Sequence, residues 1–173
     1  MAEAEAAETA DQDAAPALVQ VRAQALLIAI VRLVLAAAGL SAAVARGTSV
    51  GVAAGLFGLG AGVLLIVVLG GSRGGGVWER LKKAHPLPPD AEIESRGRSV
   101  LRAAYPSTIG LSVLIVLALA IDASVAAVLA GILAGIGVVA AGFAVQLEVW
   151  ERRRGVRIYA EPGGGGRVYE ASR

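Results

Sequence analysis

Apolar residues are concentrated in four blocks of the chain, separated by polar stretches. The first block, from about Ala25 to Ala45, and the second, from Val50 to Leu69, are each long enough as helices to cross a hydrocarbon core of roughly 30 Å. The fourth block, from about Val125 to Leu147, is equally long. The third is uninterrupted only from Ile109 to Ile121 and reaches spanning length if it begins near Ala103. The pattern predicts an all-α membrane protein with four transmembrane helices.

The polar stretches divide these helices into two hairpins, because two of them, Arg46–Ser49 and Asp122–Ser124, are tight turns. Alternating apolar residues on both sides of Pro162 also predict a small β-hairpin near the C-terminus. We therefore predict five regions: a disordered acidic N-terminal tail (1–21), a first transmembrane hairpin (22–71), a basic, proline-containing segment (72–105), a second transmembrane hairpin (106–149) and a basic tail (150–173).

The central segment contains a candidate amphipathic helix from about Ala91 to Ala104. Ile93, Val100 and Leu101 fall on one stripe at helical spacing, while the other face is charged. A short basic amphipathic helix beside a span is typical of a segment lying in the membrane interface. The alternative is a solvated linker, because Gly97 interrupts the pattern.

The tetrapeptide Val-Trp-Glu-Arg occurs twice, at Val77–Arg80 and at Val149–Arg152. In both places it follows an apolar block rich in glycine and alanine. If the chain arose by duplication, its two hairpins would be related as a parallel internal repeat. The alternative is chance similarity, because a tetrapeptide is short and apolar spans resemble one another.

Composition and charge support a membrane location. The chain is 56% hydrophobic and 17% charged, whereas a soluble domain averages roughly 25% charged residues. The segment 72–105 carries seven Lys/Arg and the tail after Trp150 carries six, while the two tight turns carry only Arg46. The positive-inside rule therefore places the central segment and both termini in the cytoplasm. The low lysine content and the abundance of alanine, glycine and arginine favour a bacterial plasma (inner) membrane.

Arg32 is the clearest candidate site, because an ionisable side chain inside a span is costly and is often functional. Glu148 and Gln146 end the fourth span on the same side of the membrane and are the predicted partners of Arg32. One interpretation is structural: Arg32 pairs with Glu148, or its guanidinium snorkels toward the interface. Binding of an anion or a lipid headgroup is the other.

Small residues recur every four positions in the second and fourth spans, a spacing that lets helix backbones approach closely. The predicted packing glycines are Gly51, Gly55, Gly58, Gly62, Gly131 and Gly135. Packing within one chain is the first interpretation of these ladders. A seam between copies in a homo-oligomer is the alternative.

Trp78 and Trp150 fall where aromatic anchors are expected, at the membrane–water boundary. The cluster Arg152, Arg153 and Arg154 suits anionic lipid headgroups, at roughly 1 kcal/mol per basic residue near the surface. This run also marks topology, so we expect lipid rather than nucleic acid as its partner.

Neither catalytic residues nor a metal or cofactor site is predicted. The chain has no cysteine, and its single histidine, His85, lies in a proline-rich stretch. We therefore expect a non-catalytic membrane protein, either an accessory subunit or a scaffold that presents its cytoplasmic segments to an unlike partner. The alternative is a homo-oligomeric transporter or channel for a small solute.

Overall fold

The computed structural model describes residues 18–71, 79, 81–89, 91, 107–161 and 167–172. Most of these residues are helical. The main helices are α1 (Val21–Ala45), α2 (Val50–Gly71), α3 (Ser107–Ile121) and α4 (Ala123–Arg154). Helices α1, α2 and α4 are long and apolar enough to cross a membrane, whereas α3 has only 15 residues. The prediction of an apolar helical bundle is confirmed at this level.

Glycine and aspartate residues end and cap the helices. Gly47 has φ +101° after the end of α1, a backbone conformation that glycine adopts without steric cost. Asp122 separates α3 from α4, and its side chain caps α4 by accepting a hydrogen bond of 2.7 Å from the Ser124 N–H. Gly155, with φ +67°, ends α4 in the left-handed conformation of a typical C-terminal cap.

Helix α4 lies at the centre of the bundle. Helices α1 and α2 each pack along α4, and α3 also packs against α4, while α1 contacts α2 and α3 only slightly. The main core joins α4 to α1 and α3, and Phe57 of α2 packs against it. Its buried residues are Ala36, Ile115, Ala118, Ala126, Ala130, Leu133 and Ala134. Small side chains dominate this core, so the helices approach closely.

This arrangement lacks the symmetry expected of a parallel repeat of two hairpins, and so favours the alternative of chance similarity. Such a repeat would make α1 equivalent to α3 and α2 equivalent to α4. Helix α3 would then pack along α2 as α1 packs along α4, but α3 packs mainly against α4. The helices that follow one another in the chain are joined by tight turns, yet α1 and α2 pack on α4 rather than on each other.

A four-stranded sheet covers one end of the bundle. Its strands are β1 (Val19–Gln20), β2 (His85–Pro86), β3 (Val156–Ala160) and β4 (Val168–Ser172), in the order β1-β3-β4-β2. Strands β3 and β4 form the predicted hairpin, with Tyr159 opposite Tyr169. Strand β1 joins β3 antiparallel and β2 joins β4 parallel, neither of which was predicted. Segments before α1, after α2 and after α4 thus meet at one end, called here the sheet end.

The predicted disordered tail does not extend to residue 21. Leu18 is fully buried and Val19 begins β1, because both are apolar residues that find partners in the sheet. Residues 1–17 lie outside the described residues, as do Trp78 and the predicted amphipathic helix beyond Ala91.

Both faces of the sheet are covered, because successive residues of a strand point to opposite sides. On one face Ile158 packs with Leu147 of α4 and with Leu81. On the other face Tyr159 and Tyr169 pack with Leu18. The sheet is therefore attached to the bundle through a small hydrophobic core of its own.

Candidate functional site

Arg32 lies where three helices meet. Its Nε donates a hydrogen bond of 2.9 Å to Oγ1 of Thr108, and its Nη2 donates one of 3.0 Å to Oγ of Ser107, at the start of α3. A Cβ built on Gly137 of α4 would lie 3.3 Å from the Arg32 Cβ, so the base of the arginine side chain runs close to α4. Both observed partners are neutral hydroxyl groups.

The predicted Arg32–Glu148 pairing is wrong. Gly137 marks the level of Arg32 on α4, and Glu148 lies eleven residues further along that helix. At a rise of 1.5 Å per residue this separates the two by about 16 Å along the bundle. Gln146 is exposed in the same final part of α4. Arg32 and the two predicted partners are therefore not one site.

Glu148 belongs instead to an ionic cluster at the sheet end. Its Oε1 lies 3.4 Å from Nη1 of Arg22, the second residue of α1, and also accepts a hydrogen bond from Nη2 of Arg152. Arg22 also faces Glu151, with its Nε 3.8 Å from Oε2. Arg22 was not among the residues predicted from the sequence. A basic residue three positions before the first apolar block could have indicated an ion pair at the membrane boundary.

Glu151 is the most buried charged group in the described residues, with 3% of its surface exposed. Its Oε1 accepts a hydrogen bond of 2.9 Å from the backbone N–H of Ile158 in β3. Glu151 therefore ties the last turn of α4 to the sheet. The corresponding residue of the first Val-Trp-Glu-Arg, Glu79, is exposed. The two tetrapeptides thus occupy different environments.

Glu161 joins the two strands of the C-terminal hairpin. Its carboxylate accepts a hydrogen bond of 2.9 Å from the Tyr169 hydroxyl and one of 3.2 Å from the Arg167 backbone N–H. Burial, followed by the hydrogen bond and negative charge of Glu161, raises the pKa of Tyr169 above the ordinary value for tyrosine. Tyr169 therefore remains a neutral hydrogen-bond donor over the physiological pH range.

The six glycines predicted to mediate packing fall into two groups. Gly131 and Gly135 of α4 lie against the backbone of α2, next to Phe57 and Ala61. Gly60 of α2 lies in the same contact, against the Val128 carbonyl. A Cβ on any of the other four would meet no atom within 4 Å in the described residues: Gly51, Gly55, Gly58 and Gly62. Those four line an open face of α2.

The sheet end is strongly basic. Trp150 is partly buried, and the Arg154 guanidinium carbon lies 4.6 Å from the centroid of its ring system. The exposed basic residues at this end are Lys82, Lys83, Arg152, Arg153, Arg154, Arg157 and Arg167. Such a surface favours anionic partners such as lipid headgroups.

Comparisons with known proteins find no matching family model, no similar curated protein and no similar solved structure. Among the described residues, no three His, Asp or Glu side chains are grouped so that they could hold a metal ion. The contacts described above are therefore the basis for inferring a function.

Arg32→Leu should make α1 insert more readily into a membrane. On the biological insertion scale, replacing an arginine near the centre of a span by leucine is worth about 3 kcal/mol. Arg22→Leu should change insertion far less, because Arg22 lies about 15 Å nearer the sheet end and its side chain can reach the interface. The insertion free energy of each α1 variant is measured by placing α1 in a reporter protein whose glycosylation shows whether the helix has inserted. Equal effects would contradict a deep position for Arg32.

Proposed function

We propose that the protein is a small non-catalytic integral membrane protein that acts as an accessory subunit or scaffold. In this proposal α1, α2 and α4 cross the bacterial plasma membrane, and the third apolar block, which contains α3, makes the fourth crossing. The sheet then lies at the cytoplasmic surface, where it contacts an unlike partner protein. The supporting observation is the sheet itself, built from three separate segments and joined directly to the bundle.

The orientation follows from the basic residues. Exposed lysines and arginines gather at the sheet end, whereas the loop between α1 and α2 carries only Arg46. The positive-inside rule favours a cytoplasmic sheet end and therefore cytoplasmic termini. Arg152, Arg153 and Arg154 would then face anionic lipid headgroups.

A scaffold requires a firm connection between its membrane part and its partner surface. Strand β1 continues directly into α1, and α4 reaches β3 through Gly155 alone. The buried Glu151 adds a hydrogen bond between α4 and β3. These links support a sheet that is held at a fixed position relative to the bundle.

Deletion of Val156–Arg173 should remove partner association and leave membrane insertion intact. The remaining apolar helices retain the length needed to span the bilayer, while the sheet loses both of its long strands. The tagged full chain is extracted from native membranes into nanodiscs without detergent, and the mass of the complex is measured. We expect the mass of one chain plus an unlike protein, and the mass of the chain alone after the deletion.

Arg32→Leu is the matched control, because it changes the bundle and leaves the sheet unchanged. This variant should keep the unlike partner. Persistence of the association after deletion of Val156–Arg173, or a full-length chain recovered alone from native membranes, would contradict the scaffold proposal.

The second candidate is a homo-oligomeric transporter or channel for a small solute. Two observations favour it: Arg32 is bonded to two hydroxyl groups midway along the bundle, and α2 exposes a glycine-lined face that a second copy could cover. This alternative expects a native mass that is a multiple of one chain. It also expects Arg32→Leu to abolish transport without lowering the amount of inserted protein.

A further inference from the structure

An open groove of about 390 Å³ lies between the first turns of α1 and the end of α4. This volume falls within the range of roughly 300–1,000 Å³ that is usual for small-molecule sites. Polar residues line one part of the groove: Gln20, Arg22 and Glu148. Apolar residues line the rest, among them Leu26, Leu27 and Val145.

Both walls of the groove change from polar to apolar in the same direction. On α1, Arg22 comes first and Leu26 lies one turn deeper in the bundle. On α4, which runs the opposite way, Glu148 lies nearest the sheet end and Val145 lies almost one turn deeper. A ligand for this groove must therefore have a charged end at the sheet side and an apolar part that points into the bundle. A membrane phospholipid has this arrangement.

We propose that the groove binds one phospholipid with a zwitterionic, ethanolamine-type headgroup. The first methylene groups of one acyl chain lie along the apolar walls, and the headgroup lies at the charged rim. The proposal rests on the membrane location proposed above, and it does not depend on the scaffold role.

The charges at the rim select the headgroup. Arg22 and Glu148 both line the groove as an ion pair, with about a third of each side chain exposed (31% and 35%). Arg152 also pairs with Glu148. Glu151 adds a carboxylate 3.8 Å from Arg22. The two arginines and the two carboxylates balance, so the rim favours a headgroup without net charge over an anionic one. The phosphate of a zwitterionic headgroup can accept hydrogen bonds from Arg22 while its ammonium group donates to Glu148.

The same rim distinguishes an ethanolamine headgroup from a choline headgroup. A primary ammonium group has three N–H donors that can bond to the Glu148 carboxylate, as a lysine ammonium does. A quaternary ammonium has no N–H donor. The chain should therefore prefer ethanolamine lipids over choline lipids through Glu148, while the exposed arginines outside the groove interact with anionic lipids in general.

The test uses the purified full chain in vesicles of equal parts phosphatidylethanolamine, phosphatidylcholine and phosphatidylglycerol. Lipid retained after release into mild detergent is identified by native mass spectrometry. We expect one retained phosphatidylethanolamine, favoured about tenfold over the other two lipids, which corresponds to about 1.4 kcal/mol. Glu148→Gln should remove the preference over phosphatidylcholine. Arg152→Gln, which removes a Glu148 partner outside the groove lining, should keep that preference.

Val145→Trp should block the groove that Val145 lines and abolish lipid retention. Val116→Trp, at a similarly exposed position of α3 outside the groove, should leave retention unchanged. Preferential retention of phosphatidylglycerol, equal retention of all three lipids, or retention unaffected by Val145→Trp would overturn the proposal.

Flotation of the chain with vesicles reports separately on membrane location. Loss of flotation would overturn that location, and with it the lipid site, while partner association is measured in a different experiment.

Discussion

Gly131→Ala should lower the free energy of unfolding of the helix bundle by about 2–3 kcal/mol. A Cβ at this position would lie 2.8 Å from the carbonyl carbon of Phe57 and 3.0 Å from its Cα, and closer still to its carbonyl oxygen. Carbon atoms pack best at roughly 3.5–4.0 Å. The obstacle is backbone rather than a side chain that can rotate away, so α2 and α4 must separate along their contact. Overpacking of this kind typically costs 1–3 kcal/mol.

Gly58→Ala is the matched control on the facing helix. A Cβ there would meet no atom within 4 Å, so the variant should be neutral or stabilised by up to about 1 kcal/mol through helix propensity. Reversible unfolding of the purified chain in mixed micelles measures both variants. If Gly58→Ala were the more damaging change, α2 would have to face α4 with its other side.

The glycine comparison illustrates what sequence spacing can and cannot predict. A four-residue spacing identifies residues that share one face of a helix, and it does so for Gly58 and Gly62 as well as for Gly131 and Gly135. It does not determine which face meets another helix, because that depends on how the helices are arranged. In this bundle α4 is central, so the α4 ladder is covered, while the ladder on α2 faces outward.

Helix positions were predictable because long apolar runs dominate the chain. The second block was predicted to run from Val50 to Leu69, and α2 extends from Val50 to Gly71. The first and fourth helices run further than their apolar blocks, since Arg22 and Glu151 are paired at the sheet end. A prediction from hydropathy alone ends a helix at such charged residues, because it does not take their ion-pair partners into account.

The sheet and the partners of Arg32 could not be predicted, for a related physical reason. Strands β1 and β2 contain two residues each, too few for a periodic pattern, and they pair with strands far away in the chain. The partners of Arg32 depend on the level in the bundle at which α3 begins. Both features are set by long-range arrangement rather than by local sequence.

Glu151→Ala should loosen the sheet from the end of α4. The substitution leaves the buried N–H of Ile158 without its acceptor, which costs about 1–3 kcal/mol, and it removes a carboxylate that balances Arg22. A small sheet has little stability of its own, so a loss of this size should be visible locally. Hydrogen exchange of the β3 and β4 amides, followed by mass spectrometry, should show a roughly tenfold or greater loss of protection, as expected from about 1.4 kcal/mol per factor of ten.

Glu151→Gln and Glu79→Ala are the controls for this prediction. The glutamine retains an oxygen that can accept from the Ile158 N–H, so it should preserve most of the protection. Glu79 occupies the same place in the first Val-Trp-Glu-Arg, but it is exposed, and its replacement should leave the exchange of β3 and β4 unchanged. If Glu79→Ala loosened the sheet as much as Glu151→Ala, the two tetrapeptides would be equivalent in structure after all. The duplication that the helix arrangement argues against would then have to be reconsidered.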